Sequence, residues 1–238
     1  MSMCDSGTYQ TGPSRVVLVV PSSNTVMESD IYRALGRQGT LHTARMRLSE
    51  PITPERERIM LDEMLPQALS DLADVRPDVL VFGCSSATSV MGPTAAHDLR
   101  RQVSDVVGAP VIDAMEAITR GVQARDLRSV SVLTPYVSAV NLLIKRSLEE
   151  FVRVDRITGL GITANSAAAA TSPMDILRHG LKALDPSSDG LVVMCTNFRA
   201  LEARGELEHD LGVPVLTANS AVIDELAAAL DPQKIGAS

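Results

Sequence analysis

Asp78-Val79-Leu80-Val81-Phe82-Gly83-Cys84-Ser85 and Asp189-Gly190-Leu191-Val192-Val193-Met194-Cys195-Thr196 repeat one pattern 111 residues apart. An acid opens each, an apolar run follows, and a cysteine with a hydroxyl residue closes it. A short run that is apolar at nearly every position, rather than at alternate ones, fits a parallel strand covered on both faces. Two further pairs flank this one in the same order. Val16-Val17-Leu18-Val19-Val20-Pro21-Ser22 matches Val130-Ser131-Val132-Leu133-Thr134-Pro135-Tyr136 at an offset of 114, and Gly108-Ala109-Pro110-Val111-Ile112 matches Gly212-Val213-Pro214-Val215-Leu216 at 104. Three ordered matches at slowly shrinking offsets mark an internal repeat.

The strands predicted are Val16–Val20, Val79–Phe82, Val130–Leu133 and Leu191–Met194. Helical patterns run over Pro54–Ala73, Ala95–Val107, Asp113–Gln123, Tyr136–Phe151, Pro173–Leu184 and Ser220–Leu230, with Asp113, Ser172 and Ser220 as N-caps. Alternating strands and helices define an α/β protein with doubly wound parallel sheets. The division expected is a tail over 1–14, a first lobe over 15–124 and a second over 125–232. Whether the terminal helices exchange lobes stays open. Ligands of such sheets bind at the carboxyl ends of strands. If a pseudo-two-fold axis relates the lobes, Cys84 and Cys195 reach one cleft from opposite sides.

Composition narrows the function. In 238 residues, aromatics are 3%, Trp is absent and the formal net charge is -7. Nucleic-acid binders need stacking rings or a positive face, so nucleic acid is not an expected partner. Met1–Ser14 lacks the apolar core of a signal peptide, and no apolar run reaches the ~20 residues that span a bilayer. A cytoplasmic location without membrane contact is expected, where thiols stay reduced. The third cysteine, Cys4, sits in the polar tail. His42, His97, His179 and His209 show no metal-ligand spacing, and no phosphate-binding loop is present, so no cofactor or metal is expected.

Most free cysteines are small buried hydrophobes. Two at equivalent ends of a repeat are harder to explain by packing, and backbone N–H groups of the turns that follow would lower their pKa toward the reactive thiolate. Pro21-Ser22-Ser23-Asn24-Thr25 places four polar residues at another strand end. One of them suffices as a helix cap; the run as a whole suits a carboxylate. Tyr136 stands at the matching place in the second copy. Arg45 and Arg47 follow a short possible strand, and Arg45 is the better candidate for a bidentate carboxylate contact. Asn165 corresponds to it in the second half. Ser85, Ser86, Thr196 and Asn197 complete the candidate substrate-binding set. The expected ligand is a small carboxylate or dicarboxylate; the oligomeric state is left open, with room for a homo-oligomer.

The chain resembles the aspartate/glutamate racemase superfamily, in its maleate cis-trans isomerase and arylmalonate decarboxylase branch. The resemblance runs from about Arg15 to Leu230. It rests on Pro21–Thr25 with Met27-Glu28, on His42-Thr43-Ala44-Arg45-Met46-Arg47, on Tyr136 after Thr134-Pro135, and on the paired cysteines. It implies two flavodoxin-like lobes and catalysis without a cofactor. Cys84 would add to an alkene carbon, Cys195 would handle the proton on the neighbouring carbon, and Asn24, Tyr136 and Asn165 would hold carboxylates. Ser85-Ser86-Ala87-Thr88 stands where maleate isomerases more often carry aliphatic residues and looks closer to a racemase loop. The decarboxylase branch keeps only the second-lobe cysteine. The leading expectation is maleate-type isomerisation. A two-cysteine racemase or epimerase is the alternative, and a decarboxylase or a non-catalytic binder follows behind.

Overall fold

The computed structural model describes residues 13–230. Most of the predicted tail, Cys4 included, and the last two residues of the predicted second lobe lie outside them. The first half runs β1 (Ser14–Pro21), α1 (Met27–Leu35), β2 (Gly39–Met46), α2 (Pro54–Ile59), a π-helical turn (Met60–Met64), α3 (Leu65–Ala73), β3 (Val79–Phe82), α4 (Ser85–Met91), α5 (Pro93–Val107), β4 (Val111–Asp113) and α6 (Ala114–Ala124). The second runs β5 (Ser129–Thr134), α7 (Ser138–Glu149), β6 (Arg153–Gly159), α8 (Asn165–Ala170), α9 (Pro173–Ala183), β7 (Gly190–Val193), α10 (Ala200–Leu211), β8 (Val215–Thr217) and α11 (Ala218–Ala229).

The strands form two parallel four-stranded sheets, ordered β2-β1-β3-β4 and β6-β5-β7-β8. The order is the same in both, and the register agrees with the repeat: Val16 pairs with Val79 in the first sheet, and Val130 with Gly190 in the second. The central strands β1, β3, β5 and β7 are buried almost throughout, as their unbroken apolar runs require. The edge strands β2 and β6 bury residues only intermittently. Their sequences, GTLHTARM and RVDRITG, are polar on the open side, so the apolar criterion picks out neither as a full strand.

Helix starts follow the expected chemistry at Asp113 and Ser172, whose side chains accept from the N–H of Glu116 and Asp175. Ser220 is different. Thr217 caps α11, and Ser220, three residues on, closes a reciprocal capping box with it. The helix therefore begins ahead of Ser220. Tyr136 likewise precedes α7 instead of opening it. α6 and α11 pack against each other at the seam between the lobes, through Arg120 with Glu225 and Arg125 with Asp224. No helix among the described residues is long and apolar enough to cross a membrane.

Gly83 sets how closely β3 can approach β1 just before Cys84. A Cβ there would lie 2.6 Å from Val20 Cγ1 and 2.7 Å from Met27 Sδ. Gly83→Ala is expected to cost about 1–3 kcal/mol by overpacking. A urea denaturation midpoint unchanged from the parent would contradict it.

Candidate active site

β3 and β7 end at the same seam, and the turns after them are joined directly. Thr196 Oγ1 donates to the carbonyl of Gly83 at 2.9 Å and accepts from Asn24 Nδ2 at 3.0 Å. One hydroxyl thus links the residue before Cys84, the residue after Cys195 and the loop after β1. Asn24 also caps α1, its Oδ1 accepting from the N–H of Val26 and Met27 at 3.1 Å. The same side chain is therefore both cap and cross-lobe contact.

A second set of amides lies beside the first. Asn197 Oδ1 accepts from the Thr25 N–H at 2.9 Å, while its Nδ2 donates to the carbonyls of Asn165 at 2.8 Å and Ser23 at 3.3 Å. Asn165 Nδ2 donates to Ser23 Oγ at 2.9 Å. The loop after β2 crosses over the seam: the Asn165 N–H donates to Glu50 Oε1, and the Ile52 N–H to the Thr163 carbonyl.

Within this frame the thiols are connected through hydroxyls. Cys84 Sγ lies 3.7 Å from Ser86 Oγ, and Tyr136 Oη lies 3.4 Å from that oxygen. The Tyr136 hydroxyl also acts on Cys195, favouring its thiolate. Both cysteines are almost fully buried, at 4% and 3% exposed. Backbone N–H groups do reach the sulfurs, from Ala87 to Cys84 and from Asn197 to Cys195, and they favour the thiolates. Burial outweighs them. It pushes Cys195 up to about 11 against the pull of Tyr136, and it raises Cys84 further, helped by the negative charge of Glu57. The expectation of lowered thiol pKa values is thereby corrected: the turns supply the donors, but the thiols are too deeply buried for them to win. Cys195 also adopts φ 97°, a conformation favouring glycine, which costs a side-chain-bearing residue roughly 1–3 kcal/mol.

Glu57 is the residue that the sequence reading missed. It is 0% exposed and accepts a short hydrogen bond from Ser86 Oγ through Oε1, while Oε2 has no hydrogen-bond partner. Burial pushes its carboxyl up to about 7. A signal was available. On the predicted helix Pro54–Ala73, Glu57 lies in the same stripe as Leu61, Leu65, Ala68 and Leu72, a charge where the helical period calls for an apolar side chain.

The structure thus gathers Cys84, Cys195, Ser86 and Tyr136 into one cluster, with Ser23, Asn24, Asn165, Thr196 and Asn197 along the adjoining seam. Ser85 is buried nearby and its hydroxyl has no partner. Arg45 and Ser22 are placed differently from expectation. The Arg45 guanidinium bonds the carbonyls of Ser22 and Asn24 and the carboxylate of Glu28, so it braces the loop with a carboxylate from its own chain. Ser22 is exposed, and its hydroxyl accepts from the Leu48 N–H at 3.4 Å. Among the described residues no three His, Cys, Asp or Glu side chains converge as metal ligands.

Two parallel α/β lobes meeting at a buried pair of thiols define a two-lobed cysteine protein. The arylmalonate decarboxylase family model matches residues 59–238, and the chain belongs to that family. Its relatives include the maleate isomerase of Geobacillus stearothermophilus, 26% identical over 233 residues, covering 91% of this chain and 92% of the relative. The crystal structure of the maleate isomerase Iso from Pseudomonas putida S16 superposes with a TM-score of 0.85 at 28% identity, covering 92% of this chain and 93% of that one. A cysteine-to-serine mutant of the Nocardia farcinica maleate cis-trans isomerase, holding a covalently bound succinylcysteine intermediate, matches at 0.86 with 26% identity, covering 92% and 94%.

Two outcomes follow from this geometry. Thr196→Val keeps the shape but leaves the Gly83 carbonyl and the Asn24 amide without their shared partner. It should destabilise the protein by about 2 kcal/mol or more and increase amide hydrogen exchange at Val26 and Met27; unchanged protection there would refute the link. Burial raises the carboxyl of Glu57 from its ordinary value of 4.5 to about 7, so the stability present below pH 4.5 is lost as pH rises toward 7. Glu57→Gln should therefore gain up to about 3 kcal/mol over the parent above pH 7 and nothing below pH 4.5. Parallel denaturation curves at pH 4.5 and 8 check this difference.

Proposed function

We propose that this protein is a cofactor-independent cis–trans isomerase acting on a small unsaturated dicarboxylate of the maleate type. The observation that carries the reading is the presence of a cysteine at both equivalent strand ends, connected through Ser86 and Tyr136. Maleate isomerases are among the relatives that share this architecture over nine-tenths of the chain, and one of them holds a succinylcysteine.

In this scheme Cys84 Sγ forms a bond to one alkene carbon. The π electrons move to the neighbouring carbon, where the adjacent carboxylate delocalises them and Cys195 delivers a proton. The C–C bond, now single, rotates. Cys195 takes the proton back, the C–S bond breaks, and the trans alkene leaves. Covalent addition divides one hard rotation into easier steps. The amide donors of Asn24, Asn165 and Asn197 and the Tyr136 hydroxyl are the groups assigned to the two carboxylates, with Ser23, Ser85 and Thr196 lining the site. Arg45 is assigned to bracing the loop that presents Asn24. We also take residues 15–124 and 125–232 as the two lobes, and the cytoplasm as the compartment, since the chemistry needs reduced thiols.

Incubation of the purified protein with maleate, followed by proton NMR, should show fumarate accumulating without added metal or cofactor. Deuterium appearing at the α-carbon of an acidic amino acid in D2O, with maleate unchanged, would replace this reading with a racemase. Cys84→Ala should lower turnover by about 10^4-fold or more and yield no covalent adduct. Cys195→Ala should also stall turnover but still form a succinyl adduct on Cys84, visible by intact-protein mass spectrometry. An adduct on Cys195 alone would reverse the two roles.

A further inference from the structure

The cluster contains one acid for which the isomerase scheme has no task. Glu57 stands in the first turns of α2, fully buried, with Ser86 as its hydrogen-bond partner. An ionised carboxylate can only accept hydrogen bonds, so the Ser86 hydroxyl hydrogen is committed to Glu57 Oε1. Its oxygen lone pairs are then left for Tyr136 Oη at 3.4 Å and Cys84 Sγ at 3.7 Å. The direction of the network is thereby set: the thiol hydrogen faces Ser86, and the Ser86 hydrogen faces the carboxylate.

We propose that Glu57, acting through Ser86, accepts the Cys84 proton as the sulfur attacks its substrate. The proposal rests on the isomerase reading in taking Cys84 as the attacking atom. The step is balanced within these three residues. The Cys84 hydrogen passes to Ser86 Oγ while the hydrogen already on Ser86 passes to Glu57 Oε1. The negative charge moves from carboxylate to sulfur, whose electron pair forms the C–S bond. The hydroxyl then points its new hydrogen at the sulfur, so the relay also creates the O–H···S contact that stabilises a thiolate leaving group when the bond breaks. Elimination runs the same two transfers backward. Glu57 is a positioning and proton-accepting residue that works through Ser86.

Burial makes such an acceptor necessary. The thiol lies where water is excluded and its ionisation is strongly opposed, so a proton leaving it in the closed site needs a receiver within the protein. Glu57 suits the task because burial has moved its carboxyl to about 7. No cation among the described residues offsets this. On its own helix Glu55 and Arg58 are exposed, and half-buried Arg56 is directed to the Pro51 carbonyl. Asp62 and Glu63 of the π turn are exposed, and α4 carries no charged residue. The titratable groups facing Glu57 across the cleft are Cys84, Cys195 and Tyr136.

The test needs no substrate. The rate at which iodoacetamide alkylates Cys84, followed by peptide mass spectrometry so that the other cysteines are counted separately, is measured from pH 5.5 to 9. In the parent the rate should rise about tenfold per pH unit and bend to a plateau near pH 7. Beyond that point the pair has already lost its one available proton, and the reactive species is the thiolate beside a protonated Glu57. Glu57→Gln should remove the bend, so that the rate keeps climbing about tenfold per unit through pH 9. Glu57→Asp should restore it. Ser86→Ala keeps both acids but removes the hydroxyl, and should slow alkylation at pH 8 by about tenfold while the Cys195 rate changes less than twofold. A bend that persists in Glu57→Gln, or an unslowed Ser86→Ala, overturns the proposal. Should maleate prove inert while the bend behaves as described, the isomerase reading falls and the relay stands.

Discussion

Thr196 Oγ1, shared between the Gly83 carbonyl and Asn24, holds the ends of β3 and β7 at a fixed separation. Every other element of the site is placed relative to that contact. Cys84 begins one residue beyond Gly83, and Cys195 ends one residue before Thr196, so each sulfur hangs from a backbone whose position the hydroxyl determines. The capping of α1 by Asn24 attaches the loop after β1 to the same point. Asn219 at the start of α11 adds to it, donating to the Thr196 carbonyl and to Asp30 on α1. A buried polar group without a partner costs about 1–3 kcal/mol, so this compact set of shared donors and acceptors penalises any other relative placement of the lobes several times over.

Two thiols, a phenol and a carboxyl form one buried cluster, and burial raises all four. Each ionised member opposes ionisation of the rest, so the cluster favours a single negative charge, resting on the group that ionises most readily, Glu57. Arg45, the cation that sequence alone would assign to a carboxylate ligand, is turned outward to Glu28. On the isomerase proposal, an entering dicarboxylate meets neutral N–H donors rather than a guanidinium. Those donors are satisfied by the protein itself along the seam, so a ligand must exchange hydrogen bonds rather than simply add them. Recognition then depends on geometry more than on net attraction.

The parts of the architecture that are legible in sequence are those where burial leaves no choice. β1, β3, β5 and β7 are covered on both faces, so their composition announces them, and the paired cysteines follow from the repeat. The edge strands β2 and β6 have one open side and read as mixed polar sequence. α10 is hidden for a related reason: its sequence ALEARGELEHDL buries only Ala200, Ala203 and Leu207. Ser220 resembles an N-cap in isolation because the capping box places acceptable residues at both of its ends. Glu57 escapes a search for motifs because it belongs to none; it is visible only as a misfit within a helical stripe. Arg45 shows the converse limit, since residue type identifies a carboxylate binder but not whose carboxylate it binds.

The π-helical turn over Met60–Met64 places one residue more in the rod between α2 and α3 than a regular helix would. Each residue of an α-helix turns the chain by about 100°. A one-residue deletion in a regular helix would rotate α2 against α3 by that angle; here the extra residue is taken up within the π turn, so its loss would close the bulge into regular α-helix and leave Glu57 facing the cysteines. Among relatives, a one-residue alignment gap at this place is therefore absorbed locally, and the position equivalent to Glu57 is found by superposing helix faces rather than by counting residues along the chain.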